Sequence, residues 1–316
     1  MLWLVDESKK FLFQKIPPMR WEIANVTGAI LSHEGRRLWL KKNKNLKKGS
    51  EYYREFFKTK REGAICRLLD DMIECRVKGI LYAGDIGHVS EEDAEKFRHD
   101  WVFPHYAFAD SEPTERRESL RHHLDNLMGK KKPVLSLQDF FKVLGILEII
   151  SSFFVLHLKD LKDHTAFDLQ KLKLIIDDQS KASLTSLKNF VSYFIFCRAQ
   201  DGLYRVPPDS IHLLGKSVRK IKDQTVFDAN KILSKTLVEE KANMDDKHPE
   251  LKIADLLSNF TGHALNGHFS MKVVQKLDKI FNVVHDVCFD PQKEVTANIP
   301  PLAQEAVNLL FRKDRK

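Results

Sequence analysis

The chain has 316 residues, 43% hydrophobic and 30% charged, a composition that can bury a sizeable core and excludes a disordered polypeptide. Its 52 Lys and Arg against 44 Asp and Glu leave a net charge of +8, which favours polyanionic partners. Four cysteines, Cys66, Cys75, Cys197 and Cys288, are widely spaced and form no CxxC pair; this is the usage of reduced thiols, and it excludes a disulfide framework or a zinc knuckle and points to the cytoplasm.

The opening MLWLVDESKK sets an acidic pair where a secretory signal needs an apolar run, so no export is expected. The apolar run 2–5 ends at Asp6 and Glu7, as a buried central strand that delivers carboxylates to its end would. A second strand is expected over 10–16, broken by Pro17 and Pro18. A third is expected over 21–32, with Gly28 inside it and a turn at 33–35, so that the opening forms a meander. Residues 36–48 then hold seven basic side chains around Trp39. Two readings fit: a solvated hairpin edge blunted by lysines, or a surface where Lys41, Lys42, Lys44, Lys47 and Lys48 contact backbone phosphates and Trp39 stacks. Aromatic interleaving there is sparse.

From Ser50, an expected N-cap, Tyr53, Phe56, Phe57, Ile65, Leu68, Leu69 and Met72 recur near helical spacing. A strand over 79–82 ends at Gly84 and Asp85. The interval 88–135, charged and rich in His, reads as a mostly helical insertion over the core. His99, His105, His122 and His123 form no HExxH frame and have no cysteine partner, while Glu118 and His122 make a surface pair. The apolar stretch 135–158 contains Asp139, Lys142, Glu148 and His157, so it reads as a buried helix rather than a bilayer span, and no membrane partner is expected.

Residues 172–176 form a strand ending at Asp177 and Asp178. A helical stripe of Leu184, Leu187, Val191, Phe194 and Ile195 follows. After a polar region over 204–250, a helix over 251–265 carries Asp255 in its first turns. A second helix is expected over 269–283, and 291–316 reads as a basic tail beyond a domain of residues 1–290. The whole is α/β: a mixed sheet flanked by helices, with a mostly helical insertion.

Asp6, Asp177 and Asp255 thus stand where a sheet displays function, outside the carboxyl ends of strands. Hard oxygen donors suit Mg²⁺ or Mn²⁺ rather than zinc. Acids also end strands as turn formers and helix caps, so position alone leaves both readings open. Gly84 and Gly87 lack the lysine and Ser/Thr of a phosphate loop, and Ser183, Ser186 and Ser192 lack a nucleophile elbow.

The three motifs LVDES, LIIDDQS and LKIADLL, in that order, resemble the family called domain of unknown function 3800 over residues 1 to about 265. That family is assigned to the ribonuclease H-like superfamily, whose members hold divalent metals in carboxylates on a sheet of this kind. The resemblance implies Asp6 as the first-strand metal ligand, Asp177 as the central-strand aspartate, Asp178 as a second acid beside it, and Asp255 as the aspartate of the ADL motif. It also implies a Mg²⁺- or Mn²⁺-dependent nuclease acting on RNA or DNA. The family writes DESG where this chain has Lys9, a departure that bears on catalysis more than on fold. The alternatives are an inactive module of the same fold that binds nucleic acid or a partner protein, and an enzyme acting on a nucleotide or another phosphorylated small molecule.

Overall fold

The computed structural model describes residues 2–7, 12, 14–15, 20–111, 114–130, 135–162, 173–177, 218–221, 224–227, 237–240, 248–286 and 299–311. Strands β1 (Leu2–Glu7), β2 (Ile23–Leu31), β3 (Lys78–Asp85), β4 (Lys173–Asp177), β7 (Leu237–Glu240) and β8 (Phe281–Asp286) form a mixed sheet in the order β7-β4-β1-β2-β3-β8. Only β2 runs against its neighbours; β1 pairs in parallel with β4, β4 with β7, and β3 with β8. Strands β5 (Val218–Ile221) and β6 (Gln224–Phe227) form a separate antiparallel pair. The α/β architecture read from the sequence is therefore present.

Helices cover both faces of the sheet. One face receives α6 (Leu137–Lys162), which packs on β1, β2 and β3. Close approach there depends on two glycines: a Cβ on Gly28 would meet Ile149 Cγ2 at 2.3 Å, and one on Gly145 would meet Tyr82 Cδ1 at 2.7 Å. The helices α4 (Glu91–Ser111) and α5 (Thr114–Leu127) pack on each other, and α4 leans on α6, so the expected insertion is helical.

The opposite face receives α7 (Lys252–Leu265), on which Ile253, Ala254, Leu257 and Phe260 join Leu4, Ala29, Leu81 and Ile175 of the sheet in one apolar core. Around it stand α1 (His33–Lys42), α2 (Gly49–Thr59), α3 (Gly63–Glu74), α8 (Met271–Ile280) and α9 (Pro301–Leu310).

Several expectations change. The hairpin edge over 36–48 is instead helix α1 and the loop after it. Ser32 accepts a hydrogen bond from the Gly35 N–H at 3.0 Å, Glu34 lies in the first turn and Lys41 and Lys42 in the last, so caps and charges agree with the helix dipole. Trp39, expected to stack on a base, is 0% exposed in the core. The helical spacing from Tyr53 to Met72 belongs to two helices, because Lys60 adopts a left-handed conformation with φ of 54° and stops α2, and the N-cap is Lys48 rather than Ser50. The helix expected to reach residue 283 ends at Ile280, where β8 begins and pairs with β3. Within the expected tail, α9 is a packed helix that buries Ala303, Ala306, Leu309 and Leu310. Of the strand expected over 10–16, Leu12, Gln14 and Lys15 are described, and Gln14 makes a single bridge to Ser90. The stripe from Leu184 to Ile195 lies outside the described residues. No helix among the described residues is long and apolar enough to cross a membrane.

Candidate functional site

Alternation along the strands sorts side chains between the two helix layers. On β2, Asn25 and Thr27 face α7: Asn25 Nδ2 donates to the Ser258 carbonyl and Thr27 Oγ1 to the Ala254 carbonyl, both at 3.2 Å. Thr27 is the cross-strand partner of Asp6, and two residues earlier on β1 Leu4 lies in the α7-side core. Asp6 therefore belongs to the α7 layer, where it is 9% exposed.

The parallel register pairs Leu4 with Ile175 and Val5 with Ile176. The next positions are Asp6 and Asp177, so the backbone sets these two residues level, on adjacent strands about 4.8 Å apart. Asp177 is the last residue of β4 and Asp6 the last but one of β1, so both lie at the carboxyl ends of their strands. Asp177 is in turn the register partner of Glu240, the last residue of β7. Glu240 did not figure in the sequence reading, although Leu237 and Val238 followed by Glu239 and Glu240 carry the same signal as β1 and β4, an apolar run closed by acids. Asp178 and Lys9 lie outside the described residues.

Asp255 comes to the same level, because the residue before it, Ala254, accepts from Thr27. Its carboxylate is engaged: Oδ2 accepts from the Gly49 N–H at 2.7 Å and Oδ1 from Asn259 Nδ2 at 2.9 Å. Asp255 thus caps the N-terminus of α2, where an anion is favoured by the exposed N–H groups and the helix dipole. The sequence could not show this, since the partner lies 206 residues away.

A divalent ion would find hard oxygen donors and little competing nitrogen or sulfur at this edge, which fits Mg²⁺ or Mn²⁺. Asp6 supplies a mostly buried carboxylate, and the backbone sets Asp177 beside it. Asp255 retains lone pairs beyond the two bonds it accepts, so it could add a ligand while still capping α2. Among the described residues no group of three or more His, Cys, Asp or Glu side chains is arranged to hold a metal.

Asp85, the acid that ends β3, is elsewhere. It pairs with Ile23, four residues along β2 from Thr27 and so about 13 Å further on. There its Oδ1 accepts from the Gly87 N–H at 2.9 Å and its Oδ2 meets His88 Nδ1, which closes the turn after β3. The insertion histidines are spread out: His99 lies against Asp100 and Phe103, His105 against Trp101, and His122 near Asn126.

The expected basic surface is divided by its ion pairs. Lys42 is held by Glu74 and Asp71, which also raise its pKa, and Lys47 reaches Glu55 at 3.3 Å. Arg36 is drawn inward to the buried Glu250 at 3.2 Å. Lys41, Lys44 and Lys48 remain exposed, and among the described residues none of these three makes an ion pair.

No protein-family model matches the chain, and neither a curated protein nor a solved structure was found to be similar to it.

Proposed function

We propose that this protein is a Mg²⁺- or Mn²⁺-dependent nuclease of ribonuclease H-like build, in which Asp6 and Asp177 are the central metal ligands. The observation that carries this reading is the β1–β4 register, which brings two aspartates 171 residues apart in sequence to the same level on neighbouring parallel strands. A mixed sheet, with β1 and β4 parallel and β2 antiparallel to both β1 and β3, is of the kind that the motif resemblance implies, and exposed lysines on the α1–α2 side agree with a polyanionic substrate.

In this reading Asp6 and Asp177 would hold the ion, and the β4–β7 register sets the backbone of Glu240 level with Asp177, one strand further out. The chemistry such an ion would supply, when bound, is a lowered pKa for its bound water and an offset to charge on the leaving oxygen of a phosphodiester. Asp255 acts as a positioning residue that locks the start of α2 beside the carboxylates. Thr27 fixes α7, and with it Asp255, against the sheet.

The test is cleavage of single-stranded RNA, single-stranded DNA and an RNA–DNA hybrid with Mn²⁺, Mg²⁺ or EDTA. Metal-dependent cleavage of at least one is expected. In Asp177→Asn it should fall by more than the ~10–100-fold that loss of an outer-shell partner costs a metal site. Cleavage of none of the three by the wild-type protein contradicts the enzymatic reading. The engagement of both Asp255 oxygens favours a second reading, a non-catalytic module of the same build, and that outcome would select it.

A further inference from the structure

The chain's excess charge is concentrated in one place. Residues 36–61 contain eleven Lys and Arg and two acids, a surplus of nine where the whole chain has +8. Helix α2 turns part of this charge into a defined surface. Gly49, Tyr52 and Phe56 are buried against the core, and Arg54, Phe57 and Lys58, at i, i+3 and i+4, occupy the opposite face. Among the described residues neither Arg54 nor Lys58 makes an ion pair. Phe57 is 61% exposed, a large apolar ring with no place in the core, and Lys60 Nζ stands 4.3 Å from its centroid. The charge begins at the other end with Lys44 and with Lys48, the residue before α2.

We propose that the outer face of α2 is a binding track for single-stranded nucleic acid, with Phe57 as the base-stacking platform and Lys48, Arg54 and Lys58 along the phosphates. Charge answers the backbone and an exposed aromatic answers a base face, the two components of sequence-tolerant single-strand binding. A duplex keeps its base faces stacked inside and has no use for Phe57. The location rests on the nuclease reading above: α2 starts at the Gly49–Asp255 hydrogen bond, and Phe57 lies eight residues along the helix, about 12 Å away, the length of three or four stacked nucleotides. A strand on this track would reach the carboxylate edge with its next nucleotides.

Binding of a fluorescent oligothymidylate and of a duplex is measured in EDTA, on an Asp6→Asn background that cannot cleave, over a range of salt concentrations. Phe57→Ala is expected to weaken single-strand binding by roughly 5- to 150-fold with an unchanged salt slope, to leave duplex binding alone, and to be rescued by Phe57→Trp. Arg54→Gln with Lys58→Gln is expected to lower the slope of log K against log salt by about 1.4, at ~0.7 per phosphate contact. These side chains are exposed, so melting temperatures should hold. No oligothymidylate binding, binding unchanged by Phe57→Ala, or equal losses on strand and duplex would overturn the track. Wild-type cleavage that is indifferent to Phe57 and Arg54 would overturn the track and keep the nuclease. Phe57-dependent binding without any wild-type cleavage would support the track and remove the nuclease.

Discussion

The two faces of the central sheet are held by different means. Toward α6 the contact is close, with Gly28 and Gly145 letting side chains of the other layer approach within the radius of a missing methyl. Toward α7 the apolar core is crossed by polar ties, Asn25 to Ser258 and Thr27 to Ala254, and the carboxylates of Asp6 and Asp255 belong to this layer. One face is set by close approach at two glycines. The other spends buried hydrogen bonds to fix the height of a helix against the strands, and that height is what brings Asp255 level with Asp6.

The largest effect should come from the packed face. Gly28→Val sets a branched side chain where even a Cβ meets Ile149 at 2.3 Å and Phe153 at 2.8 Å, so urea denaturation should show a loss at or beyond the ~1–3 kcal/mol usual for overpacking. A loss below about 0.5 kcal/mol would mean that α6 can lift off the sheet and that the two faces are not so different.

On the polar face, Asp255→Ala removes the cap of α2 and should cost about 0.5–2 kcal/mol whether or not metal is present. A cost seen only with metal would make Asp255 a ligand first and a cap second. Thr27→Val keeps the shape and deletes one hydrogen bond, for about 1 kcal/mol by the same measurement.

The smallest effect concerns Cys75, buried at the end of α3, where desolvation pushes its thiol up to about 11 from 9.0. The thiol form is favoured in the folded state, so this contribution to stability is present below pH 9 and is lost as pH rises toward 11. Peptide mapping after iodoacetamide at pH 8 should find Cys75 unmodified in the native protein and modified in urea. Native labelling would show that the α1–α3 side opens readily.

Part of this was legible in the sequence because it is local. Apolar runs closed by acids marked β1 and β4, and with them Asp6 and Asp177; a long apolar stretch with isolated charges marked α6. Helix α1 was misread because its lysines suggested a strand edge, although Ser32 and Glu34 already carried a helix start. The helix α9 was hidden under the basic end of the chain, yet Ala303, Ala306 and Leu310 recur at helical spacing after Pro301. Long-range facts could not be read at all. Nothing near residue 255 announces that Gly49 needs an anion, and nothing near residue 177 states which strand lies beside it.

The central claim is that Asp6 and Asp177 form one charged site. It is tested most directly by thermal unfolding of the wild type and Asp6→Asn, each in EDTA and in Mn²⁺. A ligand at this edge gives a metal-dependent stabilisation, so Mn²⁺ should raise the melting temperature of the wild type and not that of Asp6→Asn. An Asp6→Asn protein that still gains the full Mn²⁺ shift would contradict it.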